Sequence, residues 1–192
     1  MAFVSTFEVL LKSQLPADLP PSFNNVNNLS RNVLQGYFLT IANVNTFDLV
    51  LSLVFTTRLP SGVALDDIIT FADTSGINSG GSLVPDGAGN KFRFSPLFLP
   101  AEATALFILQ PSPTDAALAA LDIEARGFVD VQLSSLGGVP PVGAKIQVTA
   151  EQRGTFFADP TAVNIVDRAL DQIAYGLAVQ NGGLLTIHQG EP

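Results

Sequence analysis

Residues 121–133 alternate between apolar and polar side chains along their whole length. Leu121, Ile123, Ala125, Gly127, Val129, Val131 and Leu133 fall on one side. Asp122, Glu124, Arg126, Asp130 and Gln132 fall on the other, where Phe128 is the one apolar exception. A helix would scatter these positions around its circumference, whereas a strand sorts them onto two faces. The stretch therefore reads as a half-buried strand, and the rest of the chain must supply partners for its edges and a cover for its apolar face.

Much of the remaining sequence repeats that period. Residues 2–12 read as a strand with Phe3, Ser5, Phe7, Val9 and Leu11 on one face. Residues 13–32 carry Pro16, Pro20, Pro21 and repeated Asn, and read as a polar loop or arm that folds back or crosses to a neighbouring subunit. Residues 33–42 and 47–57 read as a hairpin closed by Asn43–Thr46. Further strands are expected at 67–73, 91–98 and 103–110. Ser112-Pro113-Thr114-Asp115 then forms a helix start with Ser112 as N-cap. A strand from Ala144 to Phe157 should pair with 121–133 as a hairpin, setting Val131 against Ile146 and Val129 against Val148. The same register sets Glu124 against Arg153 and Arg126 against Glu151. Residues 161–172 have the pattern of a short helix. Leu170, Ile173, Ala174 and Leu177 have helical spacing, but Ile173, Tyr175, Leu177 and Val179 also alternate, and Gln180-Asn181-Gly182-Gly183 reads as the turn of a last hairpin returning through Leu184–Gln189. Short strands punctuated by turns predict an all-β fold, an antiparallel β-sandwich or jelly roll with one or two short helices, as a single domain over 1–192.

Composition adds a constraint that periodicity alone does not. Charged residues make up 14% of the chain, against about 25% in ordinary soluble domains, and mean hydropathy is +0.36. Both faces of 33–57 are largely apolar: Phe47, Leu49, Leu51, Leu53 and Phe55 on one, Tyr37, Leu39, Ile41, Val50 and Val54 on the other. One face should pack the core and the other should meet a loop, a helix or another copy of the chain. Tyr37, Leu39, Ile41, Val50, Val54 and Phe128 are therefore the expected interface residues, and the chain itself is the expected partner.

The same inventory narrows the chemistry. Nine basic residues, scattered through a chain of net charge −8, do not make the basic footprint that phosphate binding needs. Without cysteine there are no disulfides and no thiolate metal sites. No apolar run approaches the ~18 residues of a membrane helix. The opening Met1–Glu8 has no basic region of a secretory signal, so residence in the cytoplasm, or export by a route that leaves no such signal, is expected. His188 is the sole histidine; it stands near the end of the chain, a poor place for the rigid base of a catalytic triad. No cofactor is expected. Calcium is the most accessible metal, with Asp86 and Asn90 in one loop and Asp66, Asp67 and Asp73 around another, although turn formation explains all five. Fourteen Phe with no Trp suit a core better than a sugar platform. The sequence thus predicts a non-catalytic, self-associating structural or scaffolding subunit. A module binding a ligand or partner through loops 61–90, with or without calcium, is the alternative, and an enzyme ranks behind both.

Overall fold

The alternating segments fold into one continuous antiparallel sheet that curls through 263° into a half-barrel. The computed structural model describes residues 1–15, 31–87, 89–120, 122–134, 136, 143–158 and 171–187. Its strands are β1 (Ala2–Ser13), β2 (Asn32–Asn43), β3 (Leu49–Thr57), β4 (Ile68–Thr74), β5 (Ile77–Gly81) and β6 (Val84–Pro85). They continue as β7 (Lys91–Leu99), β8 (Thr104–Pro111), β9 (Asp122–Leu133), β10 (Ala144–Phe157), β11 (Asp171–Gly176) and β12 (Leu184–Ile187). Helix α1 (Asp115–Ala120) is the one α-helix among the described residues.

The sheet runs β5-β4-β8-β2-β1-β9-β3-β7-β6, with β10 against β2, and β11 and β12 on the far edge of β10. Strand β2 is the pivot. β10 covers one of its edges from Asn32 to Asn43; the other edge is shared by β1 at Asn32–Gln35 and β8 at Tyr37–Ala42. Strand β1 then leaves β2 to follow β9 from Ala2 to Lys12. The short β1–β2 ladder joins what the sequence suggests as two separate layers. The expected sandwich is therefore replaced by one sheet bent around its core.

The inward faces pack an aromatic cluster. Phe7 meets Phe55 edge-on at 5.5 Å between ring centroids, Phe55 stacks on Phe107 at 5.5 Å, and Phe94 meets Phe107 at 4.9 Å. Each fully buried Phe or Leu contributes roughly 1.5–3 kcal/mol relative to exposure, so this interior outweighs any surface pair. A smaller cluster of Leu11, Ile123 and Phe157 lies beside it, with Ala117 and Leu118 of α1 packed against it. The helix starts two residues later than the sequence suggests: Thr114, not Ser112, is the cap, its hydroxyl accepting from the Ala117 N–H at 3.2 Å.

The strands stand where periodicity places them, but their partners differ in three places. First, β2 and β3 do not form a hairpin. Asn43, buried, donates through its side-chain amide to the carbonyls of Phe47 (2.8 Å), Leu99 (3.2 Å) and Pro100 (2.9 Å). The connection is an arch between separated strands, held by side-chain bonds instead of the expected hairpin loop Asn43–Thr46. Second, β9 and β10 do not pair. β9 lies between β1 and β3, and β10 lies between β2 and the β11/β12 edge. Arg126 pairs with Glu8 and Glu124 instead of Glu151, and Arg153 pairs with Glu151 two residues away on its own strand. Third, β11 and β12 do not form a hairpin with each other; they follow one another along β10. Asn181 and Gly182 do adopt the expected positive φ (51° and 63°), but the turn is part of an excursion from one edge segment to the next. The helix pattern at 161–172 lies outside the described residues as far as 170, and Asp171 and Gln172 belong to β11.

Candidate interaction surfaces

The outward face of β4, β8 and β2 is more apolar than a solvated sheet face. Register sets Phe71 directly opposite Ile108, and Ile108 opposite Phe38. Directly opposite side chains share a face, so the three form one row across three adjacent strands. Ile69 and Leu106 flank the row on β4 and β8. Phe71 is 38% exposed, and Ile108, Phe38, Ile69 and Leu106 are half-buried. The Arg153 guanidinium lies 4.5 Å from the centre of the Phe38 ring and bonds to Glu151 at 2.9 Å. That end of the row is therefore capped by a neutralised pair.

A second apolar spot lies on β1 and β9. A bulge in β1 between Phe3 and Ser5 turns Val4 inward and Phe3 outward. Phe3 thereby leaves the face it shares with Ser5 and Phe7 in the sequence pattern. It stands beside Phe128, with ring centroids 6.2 Å apart and both rings 39% exposed. Ion pairs border them on one side: Glu8 with Arg126, and Glu124 with Arg126 and Lys12. These partners hold the Glu124 carboxyl below its ordinary range, the Lys12 hydrogen bond first, with burial opposing. On the other side Asp130 faces Phe3 across the ladder; burial pushes its carboxyl up, against the pull of Lys91 and the N-terminus.

A third feature is the open seam of the half-barrel. The chain leaves β5, crosses at Ser82 and Leu83, and pairs as β6 with Phe92 and Arg93 of β7. Leu83 is buried at this crossing, so the seam is shut at that end. Toward Ile77 and Phe98 it opens into a cleft of about 580 Å³, floored by Ala72, Phe94 and Leu97. Ile77 is 72% and Phe98 53% exposed at its mouth.

Of the expected interface residues, Phe128 is at the surface and Val50 is half-buried. Tyr37, Leu39, Ile41 and Val54 lie buried inside the chain's own fold, each at 1% exposure or less. The sequence assigned β2 its faces the wrong way round: its outward apolar side chain in the row is Phe38, and Tyr37 points into the core, bonded to Ser5 at 2.8 Å.

The five calcium candidates are not brought together. Asp86 binds Arg93 (2.8 and 3.2 Å), Asp67 accepts from the Ala64 N–H (2.7 Å), and Asp73 accepts from the Gly76 N–H (2.8 Å). Asp66 stands in the 3-10 turn Leu65–Asp67, and the Asn90 carbonyl accepts from the Thr57 N–H (2.9 Å). Among the described residues no three acidic or histidine side chains converge on a point. His188 lies outside them. Among them, too, no helix is long and apolar enough to cross a membrane. No protein-family model, curated protein or solved structure matches the chain.

Proposed function

We propose that the chain is a non-catalytic structural subunit that associates with copies of itself through the outward face of β4, β8 and β2. The observation that carries this reading is the in-register row Phe71–Ile108–Phe38, with Ile69 and Leu106 beside it. Solvated antiparallel faces alternate to polar side chains, and this one does not. Charge favours a second copy as the occupant. In a chain of net charge −8, like chains repel generally. The ionisable groups around this row are Asp66, Asp73, Glu151 and Arg153, of which the last two neutralise each other. Two such faces in contact would supply between subunits the sandwich layering absent within one chain, with sheets ~10 Å apart. The curl narrows the contact to a few strands, so a small number of anchors should carry it.

Light scattering on a sizing column tests this. The wild type should elute as a discrete oligomer at tens of micromolar. Phe71→Lys should reduce it to the monomer mass while the β-type circular dichroism is retained. Phe128→Ser, on β9 outside this row, should leave the oligomer unchanged. A wild-type monomer would remove the proposal. An oligomer dissolved by Phe128→Ser and not by Phe71→Lys would move the contact to the spot at Phe3 and Phe128.

A further inference from the structure

The open seam borders that self-contact, Phe71 lying opposite Gly80, but its shape specifies its own ligand. Among the described residues strand β5 pairs with β4 alone, through a two-residue turn at Ser75-Gly76 that sets Thr74 opposite Ile77. Backbone groups in such a ladder point alternately toward and away from the partner. Ile77, Ser79 and Gly81 are therefore bonded to β4, and the N–H and C=O of Asn78 and Gly80 point away from it. No backbone partner is found for them among the described residues. Across the seam, β7 from Phe94 to Leu99 has β3 on one edge and no strand on the other among the described residues. Two unpaired strand edges thus flank one cleft, closed at the Gly81–Phe94 end and open at Ile77 and Phe98. The lining carries no ionisable side chain, in a chain with seventeen acidic residues. Edge strands are commonly blunted by charge or proline, and Ile77-Asn78-Ser79-Gly80-Gly81 has neither.

We infer that this seam accepts an extended, uncharged peptide segment of a partner protein, which adds a strand to the free edge of β5. Main-chain bonds to Asn78 and Gly80 hold it. Its alternate side chains, small and apolar, point toward Phe94 and Leu97, and the side chains between them face solvent. Five residues of edge set the length of the segment at about four to five residues, roughly 17 Å.

The probe is a capped, fluorescently labelled seven-residue peptide alternating valine and threonine, followed by anisotropy. Saturable one-to-one binding below about 1 mM is expected. Gly80→Pro removes one outward N–H without touching the β4 ladder and should weaken binding about tenfold. The same peptide N-methylated at alternate residues should bind at least about tenfold more weakly, and this control needs no altered protein. A glutamate–threonine peptide should fail to bind. Absence of saturation, or binding indifferent to N-methylation, overturns the inference. A change in solution mass on Gly80→Pro without any peptide binding would assign the edge to a second copy and overturn it as well. Phe38→Lys, on β2 with β4 and β8 between it and β5, should leave peptide binding intact while dissolving the oligomer, which separates this result from the fate of the self-association proposal.

Discussion

The hydroxyls of Ser5 and Tyr37 satisfy each other 2.8 Å apart in a site from which water is excluded, both residues being fully buried. Burial raises the phenol above its ordinary titration range, and the bond to Ser5 pulls the other way. Tyr37→Phe should therefore cost about 1–3 kcal/mol, chiefly by stranding the Ser5 hydroxyl. Ser5→Ala should cost a similar amount, and the double variant should recover part of the sum. Urea denaturation of the four-member cycle measures this; strictly additive losses would show that the bond contributes nothing. Asp130 offers a test with pH. Its folded pKa lies above the unfolded one, so the native state holds the proton more tightly. Ionised Asp130 therefore opposes folding at neutral pH, and the penalty fades as pH falls through the folded value. Asp130→Asn should raise Tm at pH 7 by about 1–3 °C, and the gain should shrink toward pH 4. A gain equal at both pH values would exclude desolvation as its cause. Glu124 has the opposite sign: its folded pKa is lowered, so its contribution is present at neutral pH and lost on acidification. Neither Asp130 nor the Ser5–Tyr37 bond was legible in the sequence, because each depends on what another strand places opposite it.

Strands are local objects, and a period of two is written in a few consecutive side chains; that is why β1, β4, β7, β8 and β9 stand where the pattern locates them. Pairing is not local. Reciprocal charges made β9 and β10 look like a hairpin, yet Arg126 finds Glu8, more than a hundred residues earlier in the chain. A one-residue bulge, with no sequence marker, moved Phe3 from the core face to the side of Phe128. The Asn-Gly turn formed with the expected dihedrals and still did not reverse the chain onto its neighbour. Close packing between elements has one clear probe. A Cβ on Gly127 would lie 2.0 Å from the Thr56 carbonyl oxygen, at the end of the β3–β9 ladder where Gly127 faces Thr57. Gly127→Ala must push two central strands apart and should cost about 1–3 kcal/mol. Gly80→Ala meets open space and should stay within about 0.5 kcal/mol. Equal stabilities in thermal melts would show that the ladder yields freely at Gly127.

The whole molecule was legible as all-β and antiparallel, but not as one curled sheet. That outcome depends on the few residue pairs that keep β1 on β2, and the hydrophobic pattern does not encode them. The outward row was half legible. Excess apolar residues over 33–57 signalled a covered or associating face, but Phe71 and Ile108 on β4 and β8 could be joined to Phe38 only once the strand order was known. The seam was not legible, since a missing strand leaves no mark in the strands that are present. The long reach of the pairing also matters while the protein is being made. Phe7 lies opposite Gly127, and β2 takes its full-length neighbour from residues 146–157. At 5–20 residues per second, a ribosome needs roughly 6–24 s to deliver the 120 residues that separate Phe7 from its partner. For that interval the nascent chain presents β1 without β9 and β2 without β10, and β3 has only β7 to pair with. Cellular yield should then be governed less by the stability of the finished sheet than by whether chaperones cover those strands during translation.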